Sequence, residues 1–490
     1  MSENNIIEIY NQGISQVIGV IKELSSEIKS LNSQVETLSK ENKALTERVK
    51  SLESQVNKTS NNSSKPPSSN RFKKKTKSLR TKSGKKPGGQ KGHEGTTLCI
   101  NENPDIIEVH SVEQCPECRA SLKDVKPERY IVRQIIDIPE IKVKVTEHRA
   151  EVKICPYCKC KNTAIFPEGL VNTVQYGERL KAIAVYLTQY QLIPYKRSSE
   201  LIEDIFNQHI SPGSLVSFNE VCYQRLETIE NNIKSNITSF QGAVHFDETG
   251  IYIDKKRKWL HVSSTENLTY YHAHEKRGKD AVEAIGILPK FTGTSVHDCF
   301  KTYNTYTNCK HSLCNAHILR ELNGITDLEK QSWAEPMKKL LIDIKKEVDN
   351  YYNTSNALPL DKIKAFEKKY DEILKSGFVE DYAKNIEAYS QKKVKKSVSL
   401  DLLNRLSGCK DQILAFMNDF EIPFDNNLAE RDLRMTKVKQ KISGTFRSTE
   451  GADAFTRIRG YVSSVRKNSL NALDCIVSAF TKNPIDPTLV

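Results

Sequence analysis

A hydrophobic seam with a 3.5-residue period runs from Ile7 to Val56 and constrains this chain more than any other feature, because a helix carrying such a stripe must cover it with another helix. Steps of three and four from Ile7 meet Tyr10, Ile14, Val17, Ile21, Leu24, Ile28, Leu31, Val35, Leu38, Asn42, Leu45, Val49, Leu52 and Val56. Every a position except Asn42 is Ile or Val, and every d position from Leu24 onward is Leu. That combination favours two parallel strands, and a lone polar residue at an a position fixes register. Residues 1–57 are therefore predicted to be a parallel coiled coil joining a homodimer. An amphipathic helix packed on its own domain is the alternative, and seven sustained heptads argue against it.

The rest of the 490 residues is long enough for several domains at roughly 150 residues each. The apolar fraction of 38% is below the about 45–50% of ordinary globular chains, so part of the length is not core. Residues 58–96 account for the deficit: this Ser-, Asn-, Pro-, Gly- and Lys-rich linker has almost nothing apolar and is predicted to be disordered when free. From Asn57 to His93 there are twelve Lys or Arg and no acid, against a net charge of +13 for the whole chain. Lys73, Lys74, Lys75, Lys85 and Lys86 are its densest cations, suited to gripping DNA phosphates without reading sequence; a solubilising linker is the other reading. The longest purely apolar run is the six residues Ala182 to Leu187, so no membrane span is expected. Acids stand at the N-terminus where a secretory signal needs bases, which points to the cytoplasm. There, twelve cysteines are better read as core residues or metal ligands than as disulfides.

Cys115-Pro-Glu-Cys118 and Cys155-Pro-Tyr-Cys158 are paired turns separated by 36 residues. Each can present two thiolates to a tetrahedral Zn²⁺, and four thiolates close the site, leaving it structural. The alternation of Ile141, Val143 and Val145 with charged residues suggests strands between the knuckles, hence a zinc-ribbon-like module over 97–170, in which Cys160 or His148 could replace one ligand. Residues 171–238 turn helical. There a helix over Ser198 to Asn207, a short turn and a second helix from Ser211 with Pro212 in its first turn give the outline of a helix-turn-helix or of an ordinary helical hairpin.

Downstream, AVHFDETG, GIYID and KWLHVSS suggest three short strands in a meander, with Asp247 closing the first and a helix following from about Lys279. GTSVHDCFKTY places Asp298 at the end of another strand, and Glu430 falls on a helix beside Arg431 and Arg434. Two carboxylates on neighbouring strands of a mixed sheet, joined by a third from a packed helix, could hold two Mg²⁺ ions for phosphodiester chemistry. Spacing alone does not single out these three from 61 acids.

The order of heptads, KPPSSN, GGQKGH, the CPxC knuckles, HFDETG, VHDCFKTY, CNAHILREL and NNLAERDLR resembles the insertion sequence 66 family of bacterial transposases along nearly the whole chain. The resemblance implies a multidomain protein in which coiled coil, zinc ribbon and helical DNA-binding region precede an α/β RNase H-like catalytic core with a helical insertion. It implies a DDE triad of Asp247, Asp298 and Glu430 holding two Mg²⁺ or Mn²⁺ ions. The activity implied is metal-dependent cleavage at the 3′ ends of an insertion sequence and strand transfer into double-stranded target DNA. The partners are then transposon ends, target DNA, a second copy of the chain and, where required, accessory proteins on the bacterial nucleoid. A nuclease or resolvase on the same fold and a catalytically inactive DNA-binding regulator are the rival readings.

The core is expected over 239–324 and 400–445, interrupted by a helical insertion at 325–399 and followed by a basic helical segment at 446–490. Arg431 to Lys467 carries ten Lys or Arg against three acids, and Arg431, Arg434, Lys437, Lys439 and Lys441 are expected to line a DNA track. Cys314 and His317 stand one helical turn apart, an arrangement that core packing explains more simply than a second metal site.

Overall fold

The computed structural model describes residues 3–11, 13–59, 62–63, 98–390 and 397–489. Lys73, Lys74, Lys75, Lys85 and Lys86, with most of the basic linker, lie outside the described residues. The chain divides into two compact units, Ser78–Cys222 and the remainder.

The seam forms helices α1 (Glu3–Asn11) and α2 (Ile14–Asn57). The expected single helix is interrupted at Gly13, whose φ of 107° is a conformation that side-chain-bearing residues rarely adopt. On α2 the d-position leucines Leu24, Leu31, Leu38, Leu45 and Leu52 are between 44% and 63% exposed, so the apolar stripe is uncovered in the single chain. Among the described residues no helix is long and apolar enough to cross a membrane.

In the unit Ser78–Cys222 the two knuckles have the same backbone. The amides of Cys115 and Arg119 bond to Ala120 and Cys115 carbonyls, and those of Cys155 and Lys159 to Cys160 and Cys155 carbonyls, all at 2.9 Å. Arg119 and Lys159 take left-handed φ values of 62° and 60° to close these turns. Among its described residues the only strands are β1 (Val152–Ile154) and β2 (Lys161–Thr163), an antiparallel pair around the second knuckle. The strand expected across Ile141, Val143 and Val145 does not form: Ile135, Ile138 and Val145 are largely exposed, and a segment with no apolar partner has no face to pair upon. Helices α3 (Glu178–Val185), α4 (Tyr195–Phe206) and α5 (Pro212–Arg225) follow. Asn207 ends α4 in the left-handed region, and the Ser211 hydroxyl accepts the Ser214 amide at 3.1 Å, starting α5. Ile202, Ile210, Leu215 and Cys222 are fully buried in this helical part.

The other unit centres on a five-stranded sheet in the order β5-β4-β3-β6-β7, formed by β3 (Ala243–Ile253), β4 (Lys256–Ser264), β5 (Thr269–His274), β6 (Thr294–His297) and β7 (Lys310–Leu313). The first three are antiparallel, and β6 and β7 run parallel to β3. AVHFDETG and GIYID are one strand, not two, because β4 pairs with β3 from His245 to Ile253 without a break. Asp247 therefore lies mid-strand. Helix α6 (Glu227–Ser239) precedes the sheet, and α7 (Lys279–Ile285) links β5 to β6.

After β7 come α8 (Asn315–Gly324), α9 (Ala334–Tyr351), α10 (Leu360–Ser390), α11 (Val398–Gly408), α12 (Lys410–Ile413) and α13 (Ala415–Asn418). One apolar cluster joins Ile318 and Leu322 of α8 to Trp333, Met337, Leu341 and Tyr370, and on to Leu403, Phe416 and Met417. The helical insertion thus shares its core with residues up to Phe420 rather than ending at 399. Helix α14 (Asn427–Ser443) then packs on β3 and β4, while α15 (Thr449–Lys467) packs on β5 and α16 (Ala472–Phe480) on α15. A Cβ at Gly460 of α15 would meet the Thr269 carbonyl oxygen at 3.1 Å, so helix and strand approach at backbone distance.

Candidate active site

Register brings the first two acids together. His245 of β3 lies opposite Val296 of the parallel strand β6, so two residues further along Asp247 faces the position of Asp298, immediately after β6 ends. Beyond His245 β3 no longer pairs with β6, whereas its pairing with β4 continues and holds Asp247 in extended backbone. The Asp247 carboxylate accepts the Glu248 amide at 2.8 Å, and Asp298 accepts the Phe300 amide at 3.0 Å. Burial, followed by the charges of Glu248 and Asp298 and then of Glu430, pushes the Asp247 carboxyl well above the usual carboxylate range.

Glu430 reaches this place through Asn426. The Asn426 side chain pairs its oxygen with His245 Nδ1 at 2.8 Å and donates its amide to the Phe246 carbonyl, also at 2.8 Å. Its backbone N–H donates to Cys314 Sγ at 3.1 Å, and its own carbonyl accepts the Glu430 amide at 3.2 Å, the first hydrogen bond of α14. One buried asparagine therefore ties β3, the β7–α8 junction and the first turn of α14 into a unit that carries Glu430. A second brace holds the same helix: Asp432 pairs with Lys467 of α15 at 2.9 Å and accepts the Thr269 hydroxyl at 3.2 Å.

Glu248, adjacent to Asp247, is a further acid that residue patterns did not single out. It is buried, paired with Arg277 at 2.6 Å and bonded by the Tyr303 hydroxyl. Burial and the nearby Asp298 charge raise its pKa, against the lowering by Tyr303 and Arg277. The Arg277 guanidinium also lies 4.1 Å over the Phe300 ring, so this network grips the loop that carries Asp298.

Cys314 and His317 meet the site as well. Cys314 is buried, as core packing requires, but His317 Nδ1 lies 3.7 Å from Glu430 Oε1, and Arg320 reaches the same oxygen at 3.6 Å. Asn426 was visible in the sequence only as the first residue of NNLAERDLR.

The expected basic track is smaller than the charge count suggests. Arg431, Arg434 and Lys441 are exposed and share one side of α14 at helical spacing. Lys437 is corrected: its ammonium turns inward to the Gly250 carbonyl at 2.7 Å. Lys439 sits about 5 Å over the rings of Phe446 and Phe455, and burial lowers its pKa to about 8. On α15, Arg457 is paired with Glu230 at 2.6 Å, Arg459 is buried and Lys467 is held by Asp432. This helix is a core element, and two of its cations, Arg457 and Lys467, are neutralised within the fold.

In the knuckles, hydrogen bonds within each turn lower the pKa of Cys115 and Cys158, from Cys118 and Cys160 in turn first. Such donors favour the thiolates that Zn²⁺ needs, and the Cys-Pro-x-Cys backbones are shaped to present them. No three of the sulfurs Cys115, Cys118, Cys155 and Cys158 lie within 4.8 Å of one another, so the pairs are formed but not joined. A small module without a core of its own gains that last closure from the metal it binds.

Comparison with known families agrees with this layout. Residues 113–159 match the zinc-finger binding domain of transposase IS66, and residues 15–98 match a family of unknown function, DUF6444. No curated protein matches the chain. Residues 173–454, more than half of the chain and including all three acids, match the Transposase IS66 family. The chain belongs to the IS66 family of transposases.

Proposed function

We propose that this protein is a DNA transposase that cleaves the 3′ ends of its insertion sequence and transfers them to target DNA, with Asp247, Asp298 and Glu430 as the acids of an RNase H-like core. The observation that carries the reading is the crowding of carboxyl groups around Asp247, whose anionic form is penalised by burial and by Glu248, Asp298 and Glu430. Divalent cations remove such a penalty, and hard oxygen donors suit Mg²⁺ or Mn²⁺. When bound, a pair of these ions supplies acidification of the attacking water or hydroxyl and neutralisation of charge on the scissile phosphate.

The chain's own groups do the holding. Asn426 and the Asp432–Lys467 pair keep Glu430 at the sheet, and Arg277 and Tyr303 neutralise Glu248, leaving the other three carboxylates for the metals. Arg431, Arg434 and Lys441 offer phosphate contacts beside the acids, and the linker lysines Lys73, Lys74, Lys75, Lys85 and Lys86 add a sequence-independent grip. Zn²⁺ in the paired knuckles folds the module that precedes the catalytic region. The uncovered stripe of α2 supports a homodimer through the parallel coiled coil, which would bring two ends together.

Asp247→Asn tests the assignment. It removes one carboxylate charge while keeping the side-chain shape, so Mg²⁺-dependent cleavage of cognate ends should be lost with DNA affinity nearly unchanged. Retained cleavage refutes the triad. Cleavage by the parent without strand-transfer products points instead to a nuclease or resolvase, and no cleavage at all to a DNA-binding regulator.

A further inference from the structure

A second donor set converges on the same glutamate from the side opposite in character to the hard-oxygen acids. We propose that Cys314, His317 and Glu430 form a site for a thiophilic divalent cation of the Zn²⁺ class, separate from the knuckles. Among the described residues these three alone offer ligand atoms that all lie within 4.8 Å of one another. They combine sulfur, imidazole nitrogen and carboxylate oxygen, the donors that Zn²⁺ takes, and three protein ligands leave a fourth position open.

Two of the donor atoms lack a hydrogen bond. His317 Nδ1 and Glu430 Oε1 are both buried and have no hydrogen-bond partner. Their separation of 3.7 Å is too long for a hydrogen bond. Two ligands of one tetrahedral zinc, each at about 2.0–2.2 Å from the ion, stand roughly 3.3–3.6 Å apart, so the observed spacing is nearly that of a shared ion. Cys314 stands at the N-cap position of α8, its side chain making no capping bond, and the Asn426 N–H points at its sulfur at 3.1 Å. Backbone N–H donors stabilise a metal-bound thiolate, as in the knuckle turns. Binding releases the thiol proton to solvent and forms the metal–sulfur bond, with no change of oxidation state. Arg320, 3.6 Å from Glu430 Oε1, and Arg405 are the cations acting on His317, and Glu430 and the neighbouring Asp298 oppose them.

The site shares Glu430 with the proposed triad, and its test is independent of catalysis. The full-length chain is titrated with Zn²⁺ against a chromophoric chelator, and bound zinc is counted by elemental analysis. Two tight equivalents are expected, one lost in Cys115→Ser and the other in Cys314→Ser and in His317→Ala. Asp247→Asn should keep both, so failure of the catalytic assignment would not be mistaken for failure of this one. Substitution with Co²⁺ adds a readout: with one thiolate against the knuckle site's four, Cys314→Ser should remove about one fifth of the total thiolate-to-cobalt absorption. A parent chain binding one equivalent that is lost in Cys115→Ser overturns the proposal, whether or not the other variants fold. Two equivalents retained by both Cys314→Ser and His317→Ala overturn it as well.

Discussion

Removing the Asn426 side chain should loosen the helix that carries Glu430 more than it disturbs any DNA contact. Asn426→Ala deletes two hydrogen bonds of 2.8 Å and leaves their partners, the His245 ring and the Phe246 carbonyl, inside the protein. His245 is only 7% exposed, and burial lowers its pKa, so it is held as the neutral ring and cannot recover by becoming charged. An orphaned buried polar group costs about 1–3 kcal/mol, which puts the loss at roughly 2–6 kcal/mol for the pair. Both tryptophans help to measure it: Trp259 lies on β4 and Trp333 in the core of the helical insertion. In a Trp333→Phe background, Trp259 fluorescence reports unfolding of the sheet, and the Asn426→Ala midpoint in urea should fall with an unchanged slope. Because Glu430 begins its hydrogen bonding on the Asn426 carbonyl, single-turnover cleavage at saturating DNA should slow by about 10- to 100-fold while DNA affinity stays within a factor of about two. A variant within about 0.5 kcal/mol of its parent and equally fast would show that the clamp neither supports the sheet nor positions the glutamate.

Lys439→Met should stabilise the protein at neutral pH and progressively less as pH rises. The native chain holds this lysine's pKa near 8 against 10.5 when unfolded, so the unfolded state binds more protons between those values and parental stability climbs across that window, by at most about 3 kcal/mol. Thermal unfolding at pH 7, 9 and 10.5 checks this, and a gain from Lys439→Met that does not shrink with pH refutes it. Leu31→Asp, in the middle of the α2 seam, should convert a dimer into a monomer at micromolar concentration, as read by light scattering, because a charge at a d position would be buried without a partner. A dimer that survives the change would place the interface elsewhere.

Where local pattern and tertiary structure use the same residues, the sequence was legible. The α2 stripe, the Pro212 start of α5 and the strand after Gly293 all follow from periodicity or capping, and the structure forms each of them. The expected turn after Asp247 fails for a physical reason. An Asp-Glu-Thr-Gly run has the composition of a turn, but uninterrupted pairing with β4 carries the chain through it, and Gly250 lies under Arg257, whose Nε would stand 3.2 Å from any added Cβ. Pairing partners distant in sequence decided the outcome, and no window around Asp247 contains them. The zinc module is the converse case. Its knuckle turns are encoded locally and form, whereas closure between them needs a cross-link that chain packing does not provide.

The charge count misled for a related reason. Ten cations between Arg431 and Lys467 were legible as a basic face, yet four of them are committed inward by acids, carbonyls or rings outside their own turn of helix: Glu230 for Arg457, Asp432 for Lys467, Gly250 for Lys437 and the phenylalanines beneath Lys439. A buried cation without its partner is costly, so each inward lysine or arginine implies an interaction that also fixes a helix. Those interactions converge on α14, where Lys437 bonds to β3, Lys439 to the turn after the helix, and Asp432 to α15. The exposed charge of α14, at Arg431, Arg434 and Lys441, is not committed inward in this way. Arg434 stands one turn beyond Glu430 on the same face of α14, whereas Asp432 braces the other face: neutralising Arg434 should weaken DNA binding and leave the rate at saturation, whereas freeing Asp432 should do the reverse.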